Sequence, residues 1–185
     1  MKMGFVLYNG MTALDFVGVF DPLSRLKTMG FLKNVSWEIC APTEPVTDAA
    51  GLVFTPTQVG TSLDRYDLVV VPGGPTAGQL RSDSQFIEWL KTMEPCPFKA
   101  SVCSGALLLG VAGFLKGKKA TTHPTRRIEL AEYCKEVVDQ RVVDEGTVLT
   151  AGGVTAAIDL GLHLCEKFAG FDVKEKIRSQ MDYYG

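Results

Sequence analysis

The sequence predicts an α/β fold, built as a sandwich around a mostly parallel β-sheet. Short β-like runs alternate with helix-like runs along the chain and are joined by short links. "DLVVVPGG", residues 67–74, has the continuous apolar run typical of a central parallel strand that is buried on both faces. No internal repeat, low-complexity tract or linker interrupts the 185 residues, so one domain over residues 1–185 is expected.

The chain begins with a strand followed by a helix. "KMGFVLY", residues 2–8, is predicted as a strand, and Thr12 as the cap of a helix that begins near Ala13. Asp15 falls in the first turn of this helix, where a carboxylate suits the helix dipole. The helix is expected to extend toward Met29, with Gly18 and Pro22 as the two positions that disfavour a straight course.

The remaining elements continue the alternation. Further strands are predicted at 35–41, 67–74, 98–102, 137–143 and 147–150, with a short excursion at 52–59, and helices at 83–93, 104–115, 125–134, 155–168 and 173–183. Binding sites in parallel sheets gather at the carboxyl ends of the strands. Three segments with unusual chemistry end there, namely "VPGGP", "SVCSG" and "TAGGVT".

Composition and charge exclude several classes of protein. The net charge is −2, and no basic cluster exceeds "KGKKA" and "TRR", so no nucleic-acid partner is expected. No run of about 18 apolar residues is present, so no membrane partner is expected either. The five cysteines are widely spaced and form no C-x-x-C motif, which favours reduced thiols in the cytoplasm over disulfides or a metal site.

Cys103 is the candidate nucleophile, because it lies where a buried strand passes directly into a helix. This arrangement is typical of a nucleophile elbow, and Gly105 leaves room for close packing of strand and helix. Free N–H groups at the helix N-terminus favour a thiolate. Ser104 and the Gly73-Gly74 turn are candidate backbone donors toward an anion beside the sulfur. An inert, buried cysteine is the alternative that this local pattern leaves open.

The other four cysteines favour the inert alternative. Cys40 ends a strand, Cys134 and Cys165 fall within predicted helices, and Cys96 is predicted to be an exposed loop thiol.

Four segments of the chain together resemble the ThiJ/PfpI superfamily. They are "MTALDFVGVFD", "DLVVVPGGP", "ASVCSGALLLGVAGFLKGKKATTHP" and "GTVLTAGGVTAAIDLGLHL", in the order and spacing of that superfamily. The resemblance implies a three-layer, flavodoxin-like sandwich of the class I glutamine amidotransferase type. Within the superfamily, "LDFVG" is similar to the isocyanide hydratase branch.

The resemblance also implies roles for individual residues. Cys103 matches the elbow nucleophile, Asp15 the acid that contacts it, and His123 a histidine near the cysteine in several branches. A carboxyl group facing a thiolate is pushed toward its protonated form, so Asp15 could donate a proton. The matching backbone donors are Gly73, Gly74 and Ser104, with Thr155 as a weaker binding candidate.

One departure from the pattern concerns amidotransferase chemistry. Glutaminase relatives usually have glycine two residues before the cysteine, where this chain has Ser101. His163 lacks the His-x-Glu spacing of those enzymes and is expected to pair with Asp159 on a solvated helix face. His123 is either a site residue or a strand end capped by proline, and the sequence leaves both open.

The function that these residues predict is the addition of water to a small isocyanide, giving an N-substituted formamide. The reaction needs a nucleophile and a proton donor, with no metal or organic cofactor. Two alternatives stay open: a glyoxalase or deglycase that acts on methylglyoxal, and a cysteine-based oxidation sensor without a substrate. The resemblance further implies a homodimer.

Overall fold

The structure is a computed structural model that describes residues 1–184. Its strands are β1 (Lys2–Val6), β2 (Ser36–Ala41), β3 (Val46–Thr47), β4 (Val53–Phe54), β5 (Gln58–Val59), β6 (Leu68–Val71), β7 (Phe98–Val102), β8 (Lys119–Ala120), β9 (Glu136–Val137), β10 (Val142–Asp144) and β11 (Val148–Ala151). Its helices are α1 (Ala13–Thr28), α2 (Ala77–Leu80), α3 (Ser84–Lys91), α4 (Gly105–Val111), α5 (Arg127–Leu130), α6 (Ala156–Ala169) and α7 (Phe171–Gln180), with a 3-10 turn at Pro124–Arg126.

A seven-stranded sheet in the order β10-β11-β7-β6-β1-β2-β5 forms the centre of the molecule. Strand β10 runs antiparallel to β11, and every other neighbouring pair is parallel. The middle strand β6 is buried at all of its positions, as its continuous apolar sequence predicts. The predicted mostly parallel α/β sandwich is therefore confirmed.

Two groups of helices cover the sheet. Helices α1, α6 and α7 pack against one another, and α4 packs against α2, α3 and α5. Within residues 1–184, no helix is both long enough and apolar enough to cross a bilayer.

Helix α1 begins where the sequence predicts but is held differently at its start. The Thr12 side chain makes no capping hydrogen bond. Backbone hydrogen bonds, chiefly from Leu52 and with a smaller effect of Ala13 at the helix start, lower the pKa of the nearby Asp48 carboxyl. The helix also continues through Gly18 and Pro22 to Thr28, close to the expected end at Met29.

The segment between α4 and β11 differs most from the prediction. The helix predicted at 125–134 is reduced to the 3-10 turn and α5, because the chain turns after Leu130 and Tyr133 packs closely against Gly110 of α4. Cys134 consequently lies outside any helix. The strand predicted at 137–143 is divided in two, since β9 pairs with β8 and β10 pairs with β11.

Cys96 is buried, and the prediction of an exposed loop thiol is wrong. Its side chain is only 4% exposed, and its Sγ donates to the carbonyl of Leu63 at 3.0 Å. The Nζ of Lys99 donates to the Cys96 carbonyl at 2.7 Å, which holds the loop against the body of the protein.

Candidate active site

The three strand ends singled out in the sequence meet around Cys103. Pairing of Val71 with Ser101 and of Val102 with Ala151 aligns the ends of β6, β7 and β11. The N–H of Cys103 donates to the carbonyls of Ala151 and Gly152, at 3.0 and 2.9 Å. The backbone of Cys103 is thus tied to the neighbouring strand just beyond the sheet.

Cys103 occupies a strained turn between β7 and α4. Its φ angle is +55°, in the left-handed region that non-glycine residues rarely adopt. A Cβ atom on Gly105 would lie 2.5 Å from the carbonyl oxygen of Val71, so only glycine lets α4 start this close to β6. The hydroxyl of Thr122 donates to the Cys103 carbonyl at 2.7 Å and supports the turn from a third segment. This is the geometry of a nucleophile elbow.

Asp15 is fully buried next to the elbow. The N–H of Thr12 donates to the Gly73 carbonyl at 2.9 Å, which joins the start of α1 to the loop after β6. The N–H of Gly73 in turn donates to Asp15 Oδ2 at 3.0 Å. Asp15 Oδ1 has no hydrogen-bond partner among residues 1–184, although it is buried. One oxygen of the carboxyl group is therefore fixed by Gly73, and the carboxyl group also interacts with the Cys103 thiol.

Asp15 and Cys103 shift each other's pKa. Burial raises the pKa of the Asp15 carboxyl to about 7, against smaller opposing effects of Gly73 and Cys103. Burial, followed by the charge of Asp15, raises the pKa of the Cys103 thiol to about 11, while Ser104 lowers it. The expectation that the helix N-terminus leaves this thiol with a lowered pKa is wrong, because loss of hydration outweighs the Ser104 N–H.

The two groups titrate as one pair. The pair holds two protons below about pH 7 and a single proton between about pH 7 and 11. With one proton shared, it can be a thiolate beside a carboxylic acid or a thiol beside a carboxylate. The first of these forms contains both a nucleophile and a proton donor.

The raised pKa of Asp15 predicts a pH-dependent stability. A buried carboxyl that keeps its proton up to about pH 7 destabilises the folded state as the pH rises from about 4 to 7, by up to about 4 kcal/mol. Asp15→Asn removes this ionisation, so the variant should gain in free energy of unfolding relative to wild type, and the gain should grow between pH 5 and pH 8. Urea denaturation at both pH values measures it.

Asp64→Asn, at an exposed position, is the matched control and should show no such growth. A gain for Asp15→Asn that stayed constant with pH would mean that Asp15 is already ionised at pH 5 in the folded protein.

The glycine amides predicted as anion donors are engaged within the protein. The Gly73 N–H is directed at Asp15, and the Gly74 N–H donates to Ser104 Oγ at 2.9 Å. Ser104 Oγ returns a hydrogen bond to the Gly74 carbonyl at 3.0 Å. Only the Ser104 N–H of the three predicted amides faces the sulfur, where it lowers the pKa of Cys103.

His123 lines the same pocket as Cys103. Its Nδ1 accepts a hydrogen bond from the Thr125 N–H at 3.3 Å and lies 2.8 Å from the Thr125 hydroxyl. Because Nδ1 must offer a lone pair to this N–H, the neutral imidazole carries its proton on Nε2. In this tautomer the Nε2–H of His123 is a hydrogen-bond donor, and Nε2 lies on the side of the ring that is close to Gly153.

The pocket over Cys103 has a volume of about 250 Å³, which suits a small molecule. Its lining combines the predicted site residues with side chains from the loops at the sheet edge: Thr12, Gly74, Pro75, Cys103, Ser104, His123, Thr125, Arg126 and Val154.

Two other predictions are corrected by the surroundings of α6. Thr155 does not line the pocket, and its hydroxyl accepts from Arg141 at 3.2 Å instead of capping the helix. His163 pairs with Asp144 at 2.8 Å, not with Asp159, because β10 runs beside α6.

Tyr8 and Thr122 support the site: the loop near Tyr8 was expected to line the pocket, whereas the contacts that these two side chains make beneath it were not predicted. The buried hydroxyl of Tyr8 donates to the Pro72 carbonyl at 2.9 Å, and the pKa of Tyr8 is raised by burial and by the charges of Asp15 and Cys103. Tyr8 reads as the last residue of an apolar strand, so no local signal marks it. Thr122 directly precedes His123 in "TTHP", and that proximity was the only available signal.

Comparison with known proteins places this geometry in a family. The sequence profile of the DJ-1/PfpI family matches residues 1–167. Isonitrile hydratase from Pseudomonas putida is 33% identical over 184 residues, which cover 99% of this chain and 78% of the relative. A ThiJ/PfpI family protein from Pseudomonas syringae has a crystal structure that superposes with a TM-score of 0.88 at 32% identity, covering 100% of this chain and 75% of the other. A relative from Schizosaccharomyces pombe named glutathione-independent glyoxalase DJ-1 is 31% identical over 111 residues, 58% of each chain.

Proposed function

Because the chain belongs to the DJ-1/PfpI family, we propose that it is a cysteine-dependent enzyme that hydrates small isocyanides to N-substituted formamides. The observation that carries the proposal is the position of Cys103 on a strained turn with the fully buried Asp15 carboxyl beside it, where burial raises the pKa of both groups. The likeness to isonitrile hydratase over nearly the whole chain supports the choice of substrate.

The first half of the reaction uses the thiolate and the acid. The Cys103 sulfur attacks the terminal carbon of R–N≡C, forming a C–S bond and leaving an electron pair on that carbon. Asp15 donates its proton to the carbon from the unpartnered Oδ1, which gives a thioimidate, R–N=CH–S–Cys103.

The second half adds water and releases the product. The Asp15 carboxylate removes a proton from water as the hydroxide adds to the thioimidate carbon, and it then passes this proton to the substrate nitrogen. Asp15 next accepts the hydroxyl proton while the C–S bond breaks. The products are the formamide, the Cys103 thiolate and protonated Asp15, so the pair returns to its starting state.

The engaged glycine amides favour an isocyanide over a carbonyl substrate. Attack on a carbonyl develops negative charge on oxygen, which free N–H donors must stabilise. The N–H of Gly73 donates to Asp15 and the N–H of Gly74 donates to Ser104, so neither is free for an oxyanion. An isocyanide carbon bears no oxygen, so the first attack on it needs no such donors.

Glyoxalase activity is the second candidate, because His123 lines the pocket and the relative from Schizosaccharomyces pombe is named for it. Moving a proton between adjacent carbons of methylglyoxal requires a base near the cysteine. The hydrogen bond from Thr125 leaves His123 Nε2 protonated, which disfavours that role.

A panel of three reagents separates the candidate functions. We expect wild-type protein to convert p-nitrophenyl isocyanide to the formamide and to form no lactate from methylglyoxal without glutathione. Lactate formation that is lost in His123→Ala would favour the glyoxalase. Selective oxidation of Cys103 to sulfinate by mild peroxide, with no turnover of either substrate, would favour the oxidation sensor.

We also propose that the protein is a homodimer and a cytoplasmic one. A face near the pocket supports the dimer: Leu14 and Val17 on α1 and Leu52 and Val53 on the β3–β4 hairpin are exposed apolar side chains. The helix and the hairpin are in contact, because the ring centres of Phe16 on α1 and Phe54 on β4 are 5.9 Å apart.

Val53→Glu is expected to dissociate this dimer, because it places a charge on an apolar interface. Sedimentation equilibrium should show wild type as a dimer and the variant as a monomer at the same concentration. Ile128→Glu, at a solitary exposed position on α5, is the control and should remain dimeric. A monomeric wild type would disprove the dimer, and dissociation by Ile128→Glu alone would disprove its location.

A further inference from the structure

A second cavity, which we call the Thr121 cavity, adjoins the Cys103 pocket. Its volume is about 340 Å³, and it is lined among others by Thr121, His123, Arg127, Arg141 and Gly153. His123 lines both cavities, so its imidazole ring is their shared wall. The reaction proposed above uses nothing in this second cavity.

Thr121 brings an unused hydroxyl to the cavity wall. The residue is fully buried, and its Oγ1 has no hydrogen-bond partner among residues 1–184. Its backbone N–H is satisfied by Thr150 Oγ1 at 2.9 Å, so only the side chain is left without a partner. A buried hydroxyl without a partner destabilises the folded protein, and a bound ligand that accepts its hydrogen bond would remove that cost.

Arg127 brings a second unused donor and a positive charge. Its Nε is buried without a partner, while its Nη2 pairs with Asp139. The Asp139 side chain is 80% exposed, so solvent screens this pair strongly. The guanidinium group is therefore only partly neutralised and keeps one N–H for a ligand.

The opposite side of the cavity contributes a second arginine, which is itself paired with a carboxylate. Arg141 lies there and donates from Nε to Asp159 at 2.6 Å and from Nη2 to Thr155. Gly153 and Ala156 bring in the N-terminus of α6, a helix of 14 residues whose dipole favours negative charge at this end. The cavity is thus lined by two arginines and one carboxylate, Asp139, which is mostly exposed to solvent.

We propose that the Thr121 cavity binds a carboxylate group of a small molecule. A carboxylate supplies two acceptor oxygens, one for the Thr121 hydroxyl and one for Arg127 Nε, and its charge suits Arg127, Arg141 and the α6 N-terminus. The bound group would lie directly behind His123 and would therefore contact the wall of the Cys103 pocket.

Acetate titrated into ¹⁵N-labelled protein tests the proposal, with acetamide as the neutral probe of the same shape. Acetate should produce saturable shifts of the backbone amides of residues 121–123, 125–127 and 152–156, and acetamide should bind at least about tenfold more weakly. No saturable shift, or equal affinity for both probes, would overturn the proposal.

Thr121→Val removes the hydroxyl and keeps the shape of the side chain. It should weaken acetate binding about tenfold or more, because a hydrogen bond to a charged group is lost. The variant should fold, since it removes a buried hydroxyl that has no partner within the protein. Unchanged acetate affinity in a folded Thr121→Val protein would contradict the assignment.

Two adjacent arginines distinguish the cavities. Arg127 lines the Thr121 cavity and Arg126 lines the Cys103 pocket. Arg127→Gln should weaken acetate binding about tenfold or more, and Arg126→Gln should leave it within about twofold. The reverse order would place the carboxylate beside Cys103 and overturn the proposal.

The carboxylate could belong to the isocyanide itself or to a separate ligand, and substrate kinetics separate these sources. If it belongs to the substrate, isocyanoacetate should have a lower KM than methyl isocyanoacetate, and Thr121→Val should abolish the difference. If it is separate, the two KM values should agree while acetate binding is retained. Absence of turnover would contradict the proposed function alone, because the acetate titration does not depend on activity.

Discussion

Replacing Cys103 by alanine is expected to abolish isocyanide hydration, with a loss of about 10⁴-fold or more in kcat/KM. The sulfur forms the bond to carbon that both halves of the proposed reaction require, and no other cysteine lines this pocket. Formamide production from p-nitrophenyl isocyanide, followed by chromatography, measures the effect.

Cys134→Ala is the matched control, because Cys134 is a half-buried thiol outside the pocket. It should keep wild-type activity and show that loss of a thiol as such has no effect. Residual formamide production by Cys103→Ala near the wild-type rate would rule out a covalent route.

Asp15→Asn is expected to lower kcat by about 10²- to 10⁴-fold, because it removes the proton donor and the later base while preserving the shape of the side chain. The wild-type rate should rise with pH through about 7, where the pair loses its first proton. In Asp15→Asn the rise should move to higher pH, since the buried thiol must then ionise alone.

The free energy of unfolding shows whether the loss of kcat in Asp15→Asn comes from lost chemistry or from misfolding. The same variant is expected to be more stable than wild type at pH 8, so a folded, stabilised and inactive protein is the predicted combination. Asp64→Asn, the exposed control, should match wild type in both rate and pH profile. An Asp15→Asn protein with wild-type kcat would exclude Asp15 from proton transfer.

The fold and the position of the nucleophile were predictable from local patterns. The apolar run of β6 and the alternation of strands and helices depend on short stretches of sequence, and the structure confirms the parallel sheet that they predict. The nucleophile elbow could also be predicted from a short stretch, because "SVCSGA" is typical of a buried strand that runs into a helix without a linker. Asp15 was matched to Cys103 through resemblance, since nothing near either residue in sequence indicates that α1 and the loop after β6 meet.

The chemistry of the site depended on contacts that no local pattern contains. The Gly73 and Gly74 amides looked free in sequence, and the folded protein uses both internally. The helix N-terminus favours a thiolate, yet burial outweighs it and raises the pKa of Cys103. Both outcomes follow from how tightly three loops pack around one turn.

Mass spectrometry of the Cys103 peptide during turnover tests the central claim most directly. Acid quenching of wild type within the first turnover of p-nitrophenyl isocyanide should reveal a peptide that carries the mass of one isocyanide on Cys103, and Asp15→Asn should show far less of it because the donor that completes the thioimidate is missing. The five thiols provide an internal control, because the other four should remain unmodified. Formamide production with no adduct on Cys103, and with activity surviving in Cys103→Ala, would contradict the account.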